Sequence, residues 1–394
     1  MRIDRYLLLL SLAVGVAFLP THSLAETPPD EGALRDSLTV QKARTVNVVG
    51  RGKQKFYERS FDLNALPHYE PKQKVTGIIR MWGQNYLGDS NLASDWEDAF
   101  RKFHPGVTFE YHLLTAFVAM SGLVTGQADL APCRKFTFAD TEGFERVFNF
   151  HPTEITFATG SLNVPGWNNC YCIFVHADNP MSKISMKQLD AVFGSRRDGG
   201  WVSTEWHPEF ARGPGENIRT WGQLGLTGDW ADKPIHVYGL NARDNQSTIM
   251  SNLVLRGSDK WNEDLRTYAN FARPDGSMAI AAAELMKDLA KDPYGIAYSG
   301  LQNLRQGTKL LAVAKGDSGP AILPTLETVQ DRSYPLADEV YFYLARAPDS
   351  PMDPKLKEYL RFVLSREGQE AVERDGKYLP LTADLVREQL KKLE

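Results

Sequence analysis

Apolar and polar positions alternate along most of the chain in two rhythms, and together they predict a mixed succession of strands and helices. Residues 75–82 are β-branched and apolar up to Gly83, the pattern of a buried strand. Leu92, Trp96, Phe100 and Phe103 then recur at helical spacing across 91–103, and His104-Pro105-Gly106 ends that helix. A strand is expected over 107–113, a short helix over 116–125 closed by Gly126, and another strand end from Asp129. After Pro165 the rhythm resumes with a strand over 170–176, a turn at Asn179-Pro180, and a helix over 185–193 that Ser185 can cap. Residues 194–232 are rich in Gly, Trp and Pro and too irregular to assign. Beyond them lie a strand at 234–240, helices at 247–255 and 278–289, and a strand at 294–298. Strands at 309–314 and 340–345 precede helices at 354–364, 367–374 and 383–393. Such alternation predicts an α/β fold with a parallel sheet and helical crossovers.

The first residues follow a different pattern. Arg2 and Arg5 precede an almost wholly apolar run over 6–19, and Ser23-Leu24-Ala25 places small residues where signal peptidase reads. Residues 1–25 are therefore expected to be a signal peptide, with an uncleaved signal anchor as the alternative, and the mature chain to be exported to the periplasm. Residues 26–73 are polar, carry Pro28-Pro29, and are expected to form an extension ordered in part at best. Val46 to Val49 would be an edge strand within it.

The mature remainder, about 370 residues, suits two lobes at about 150 residues per domain. Apolar content of 42% and charged content of 24% are ordinary for a folded protein. A net charge of −4 argues against nucleic acid as a partner, because that binding rests on massed Lys and Arg. A small anion needs only a few aimed donors.

Three cysteines, Cys133, Cys170 and Cys172, suggest in an oxidising compartment either a disulfide of Cys133 with one of the other two or buried thiols. A metal site is not expected, since no His lies at zinc-site spacing from Cys170-Tyr171-Cys172. The chain has no G-x-S-x-G, H-E-x-x-H, Walker or C-x-x-C motif, so catalytic residues are not assigned and an enzyme is not expected, an unrecognised hydrolase being the alternative.

Three polar loops follow predicted strands, where open α/β sheets place ligands. The first, Gly83 to Asn91, offers Gln84, Asn85 and Tyr86, or reads as a plain helix cap by Asp89 or Ser90. The second ends in Cys133-Arg134, whose guanidinium can fork onto an oxyanion, although a lone Arg is more often a surface charge. The third brings Arg243, Gln246, Ser247 and Thr248 to a helix start, or is simply capped by Ser247.

The ordered motifs resemble the phosphate-binding proteins of ABC phosphate importers, within the type II periplasmic-binding-protein superfamily. Gly126-Gln-Ala-Asp129-Leu-Ala followed by Cys133-Arg134 carries part of the resemblance, as do Asn179-Pro180 and Gln188-Leu189 through Val192-Phe193-Gly194. Tyr294-Gly-Ile-Ala-Tyr298, Glu367-Gly368-Gln369 and Gly376-Lys-Tyr378-Leu379-Pro380-Leu381 complete it. The resemblance implies a two-lobed fold with a ligand cleft: residues 74–163 opening the first lobe, 164–303 forming the second, and 304–394 returning to the first. Crossings would lie near 162–165 and 301–306. It implies inorganic phosphate or a related small anion as ligand, an ABC importer permease as partner, a monomer, and no cofactor.

Departures fall on the loops. Gln84-Asn85-Tyr86-Leu87 stands where the family has a hydroxyl, Thr115-Ala116-Phe117 where it is rich in Gly and Ser, and Cys133 where Ser is common. The third loop, from Arg243 to Thr248, lacks the family's Gly. Another anion or polar solute, or a non-transport interaction or sensing role, are the alternatives. An Asp, either Asp244 or Asp129, would accept the proton of hydrogen phosphate, Asp129 being read rather as a brace of its strand end.

Overall fold

A computed structural model describes residues 54–167, 170–242, 244–275 and 277–394. The expected signal peptide at 1–25, the extension up to residue 53 and the edge strand at 46–49 lie outside the described residues.

The first group of elements is β1 (Gly77–Trp82), α1 (Tyr86–Asp89), α2 (Leu92–Phe103), β2 (Val107–His112), α3 (Phe117–Val124), β3 (Ala131–Cys133), α4 (Phe138–Phe148) and β4 (Thr153–Thr159). The second opens with β5 (Tyr171–His176), β6 (Lys183–Ser185), α5 (Met186–Phe193) and the hairpin β7 (Gly200–Val202) and β8 (Glu205–His207). It continues through β9 (His236–Leu240), α6 (Asn245–Val254), β10 (Arg266–Tyr268), β11 (Phe271–Ala272), β12 (Met278–Ala279) and α7 (Ala281–Leu289). It closes with β13 (Gly295–Gly300), β14 (Thr308–Ala314), β15 (Ala321–Ile322) and α8 (Leu326–Gln330). Last come β16 (Glu339–Leu344), α9 (Pro354–Val363), α10 (Arg366–Asp375) and α11 (Ala383–Lys391).

Apart from the separate two-stranded ladders β7–β8 and β11–β12, these strands divide between two sheets, one per lobe. In the first lobe β2 pairs parallel with β1, a parallel bridge from Met81 to Leu130 links β1 to the run into β3, and β16 lies antiparallel between β3 and β4. In the second lobe the order is β10-β9-β13-β5-β14-β15, with β6 also on β14. Pairing is parallel across β10, β9 and β13 and antiparallel from β13 through β5 and β14 to β15. Both sheets are thus mixed, where the alternation had predicted a parallel one. Apolar periodicity reports burial and says little about strand direction.

The chain leaves the first sheet after β4 and enters the second at β5. Its return comes later than expected, because β14 is hydrogen-bonded to β5. Residues 308–314, expected in the first lobe, belong to the second sheet, and the second crossing follows β15.

Local signals explain several elements. On α2 the buried Leu92, Ala93, Trp96 and Phe100 share one face, while Phe103 stays partly exposed. Trp96 stacks edgewise on Phe157 of β4 and donates from Nε1 to the Gly368 carbonyl at 2.8 Å, so one side chain ties α2 to the sheet and to α10. Ser185 caps α5 as expected, in a reciprocal box with Gln188. Gly376 ends α10 at φ 63, a conformation that favours glycine.

The described part of the segment before β1, from residue 54, is ordered and packed. Tyr57, Leu63, Leu66 and Tyr69 are buried in the core. Phe56 and Tyr57 donate from their backbone N–H groups to the Gly376 carbonyl, and Arg366 donates likewise to that of Pro67. These apolar residues have no regular spacing, because the segment follows the surface of the lobe and forms neither helix nor strand. No helix among the described residues is long and apolar enough to cross a membrane.

Candidate functional site

In the first sheet β1, β2, β3 and β4 run the same way, so their C-terminal ends share one edge with the start of the reversed strand β16. Gly83 follows β1 there, and a Cβ at this position would lie 2.0 Å from the Pro132 carbonyl oxygen. Only glycine allows that approach, which lets Gln84 N–H donate to Pro132 O at 2.8 Å. The Thr115 amide donates to the Gly83 carbonyl at 3.1 Å. Three strand ends are thereby drawn together, with Gln84, Thr115 and Arg134 on adjacent loops.

Arg134 is the best-held of the expected residues. The residue is 4% exposed. Nη1 donates to the Lys135 carbonyl at 2.9 Å and to Asp140 Oδ2 at 2.8 Å. The same Asp140 oxygen receives the Thr137 N–H, within the capping box that starts α4. Nε reaches Asn245 Oδ1 at 3.4 Å, at the first residue of α6 in the other lobe. Nη2 has no hydrogen-bond partner among the described residues. A guanidinium oriented from behind and joined across the lobes, with one donor end open, is suited to an oxyanion.

Within electrostatic reach of it stands Asp338, just before β16 and 5% exposed. Burial pushes its carboxyl up to about 7, while the Glu339 N–H and the Arg134 charge pull the other way. Oδ1 accepts from the Glu339 amide at 2.9 Å, and Oδ2 is buried with no partner. Tyr171, at the start of β5, is buried within electrostatic reach of both. Burial raises its phenol well above the ordinary value, the Asp338 and Asp244 carboxylates add to that, and Arg134 opposes them. Asp338 and Tyr171 were missed in sequence. The only trace of Asp338 is an acidic pair, Asp338-Glu339, where an apolar strand begins, which is unremarkable on its own.

The remaining expected residues divide. Gln84 is buried and reaches the Tyr378 hydroxyl at 3.4 Å from Nε2. Asn85 turns back to Asp89, Nδ2 to Oδ2 2.5 Å, and Tyr86 stacks on Trp167 with ring centres 5.2 Å apart. Asp244, not Ser247, caps α6, accepting from the Gln246 amide at 2.9 Å. Ser247 faces inward: its hydroxyl donates to the Leu240 carbonyl at 2.6 Å and meets the Tyr298 hydroxyl at 3.0 Å. Gln246 leaves Oε1 buried and unpartnered, and Thr248 lies half-buried on the first turn of α6. Arg243 lies outside the described residues.

Asp129 braces its strand, as read. Its carboxylate takes Arg80 Nη2 at 2.9 Å and the Arg80 amide at 2.9 Å. Burial opposes ionisation, yet these bonds hold its carboxyl below the ordinary range.

All three cysteines are free and buried, the second of the two alternatives read from the sequence. Cys133 lies on β3 of the first sheet, with its thiol against the Ala116 carbonyl. Cys170 and Cys172 lie beside and on β5, and their sulfurs are 3.9 Å apart, far beyond bonding distance. Burial pushes the Cys133 thiol up to about 12. Among the described residues no group of three or more His, Cys, Asp and Glu could hold a metal ion.

The chain is 29% identical over 330 residues to the phosphate-binding protein PstS of Pseudomonas aeruginosa, in strains PAO1 and UCBPP-PA14, covering 84% of this chain and 91% of the relative. Among solved structures it is similar to PstS from Borrelia burgdorferi, at 17% identity and a TM-score of 0.49 over 79% of this chain and 100% of that one. It is also similar to an ABC-type phosphate transport receptor from Vibrio cholerae, at 14% identity and a TM-score of 0.46 over 76% and 99%. The PBP superfamily domain model matches residues 89–367, which is most of the chain and spans both sheets, and the chain belongs to that superfamily.

Proposed function

We propose that this is an exported solute-binding protein that captures inorganic phosphate between its lobes and delivers it to an ABC importer. The observation that carries the reading is Arg134: buried, fixed by Asp140, joined to Asn245 of the other lobe, and open at Nη2. A phosphate oxygen at Nη2 would be bound by a donor that loses little freedom on binding. Asp338 Oδ2 supplies the complementary group. As a carboxylate it accepts the proton that hydrogen phosphate carries and sulfate lacks. Gln246, Gln84 and Thr115 would offer further donors, and Arg243 is read from the sequence as a second cation. The similarity to curated phosphate-binding proteins supports the choice of anion. We read the chain as a binder and not a catalyst, working as a periplasmic monomer with the permease as its partner. The lobe limits follow the strand pairing: an opening part up to β4, a second lobe from β5 to β15, and a return at β16.

The test is thermal unfolding of the mature protein against phosphate, arsenate and sulfate. Ligand at 100 times its Kd adds about 2.7 kcal/mol. The midpoint is expected to rise with phosphate and arsenate and to stay put with sulfate at pH 8. No response to any anion would sink the phosphate reading.

A further inference from the structure

A cavity of about 500 Å³ adjoins Asp338 and is walled by both lobes. From the first lobe come Phe138 of α4 and Tyr341 of β16, and from the second come Trp201 of β7 and Ile249 and Leu253 of α6. The Phe138 and Trp201 rings meet across the lobes with centres 4.8 Å apart. On the first-lobe side the Lys135 ammonium sits 5.2 Å from the Tyr341 ring centre and is paired with Glu154 at 2.6 Å. The cations of this wall are therefore already neutralised, and what the cavity offers an occupant is mainly aromatic and aliphatic surface.

Inorganic phosphate has no use for such space. Volumes of about 300–1,000 Å³ with apolar walls and a few placed polar groups are those of small organic ligands. Because Asp338 borders the cavity, an anion held between Arg134 and Asp338 would have this space open beside it. We propose that the protein accommodates phosphomonoesters bearing a single aromatic ring, with the phosphoryl group at Arg134 and Asp338 and the ring in the Phe138–Trp201 cavity. The proposal rests on the phosphate reading above and extends it to a larger class of ligand. A monoester dianion carries no proton to give Asp338. The protonated carboxyl then donates to a phosphoryl oxygen, and binding takes up a proton near neutral pH. The ring would touch walls from both lobes, so its burial would favour the same closed arrangement that the anion does.

Calorimetric titration of the full mature chain with inorganic phosphate, methyl phosphate and phenyl phosphate tests this. Phenyl phosphate is expected to bind at least about tenfold more tightly than inorganic or methyl phosphate. Leu253→Trp, which fills the cavity, is expected to bring the ratio of phenyl phosphate to inorganic phosphate affinity back to about one. Trp201→Ala, which removes a half-buried wall, provides the same reading should the first variant fold poorly. Binding of inorganic phosphate with phenyl phosphate equal or weaker would overturn this inference alone. A phenyl preference that neither variant alters would overturn it too, by placing the ring elsewhere. Failure of wild-type protein to bind any of the three would remove the phosphate reading and this inference with it.

Discussion

The hydroxyl of Tyr57 lies 2.9 Å from Ser161 Oγ, joining the segment before β1 to the first crossing between the lobes. The same oxygen accepts from the amides of Leu162 at 2.9 Å and Asn163 at 3.1 Å. One buried phenol therefore satisfies two backbone donors where the chain leaves β4, and Ser161 Oγ in turn accepts the Val164 amide at 2.9 Å. Tyr57→Phe would leave the Leu162 and Asn163 N–H groups without a partner. The expected cost is about 1–3 kcal/mol, read as a lower midpoint in urea unfolding. An unchanged midpoint would mean that the crossing does not depend on this clasp.

Arg134→Lys keeps the charge and loses the planar fork. Phosphate affinity is expected to fall at least about tenfold in calorimetry, because an ammonium cannot hold Asp140, Asn245 and an oxyanion at once. Arg243→Ala is expected to weaken binding as well. Wild-type affinity in both variants would remove the assigned site.

Ser247 separates a structural role from a ligand role. Its hydroxyl is spent on Leu240 and Tyr298, so Ser247→Ala is expected to cost about 1–2 kcal/mol of stability while phosphate affinity stays within about twofold. A tenfold loss of affinity with unchanged stability would show that the hydroxyl turns to the ligand after all.

The raised carboxyl of Asp338 makes a pH prediction with a definite sign. Its folded value of about 7 lies above that of an unfolded Asp, near 3.9, so between these limits the folded chain holds the extra proton. Stability from this group is complete at low pH and declines as pH rises from about 4 to about 7. Asp338→Asn is expected to raise the unfolding midpoint at pH 8 and to change it little at pH 4. It should also lessen the rejection of sulfate, since no carboxylate would then oppose a fully ionised anion. A variant that is no more stable than wild type at pH 8, and rejects sulfate as before, would contradict both expectations.

Thiol titration after denaturation, without reductant, is expected to find all three cysteines of the chain reactive. A count of one would reveal a disulfide joining two of them.

Much of the fold was legible because its elements carry one-sided apolar patterns. The faces of α2 and the Ser185 cap are set by local spacing, and the structure repeats them. Strand direction was not legible, since the direction of β16 depends on which partners it meets, and those are distant in sequence. The return to the first lobe was misplaced for the same reason: only the pairing of β14 with β5 decides its membership. At the site, Arg134 could be found because a charge follows a strand end. Ser247 could be found but not understood, because a hydroxyl at a helix start looks the same whether it faces a ligand or the core. Asp338 gave no local signal, as its importance comes from burial beside Arg134 and Tyr171, which the linear order does not bring together.

The packed belt before β1 also bears on where the chain can be cut. The superfamily model begins its match at residue 89, yet by then Tyr57, Leu63, Leu66, Tyr69 and all of β1 have passed. A fragment trimmed to residues 89–367 would leave β2 without its neighbour, strip the clasp from the first crossing, and remove α11 from the other end. The part of this chain that the domain model matches is smaller than the part that packs together, and expression boundaries are better drawn by buried surface than by that match.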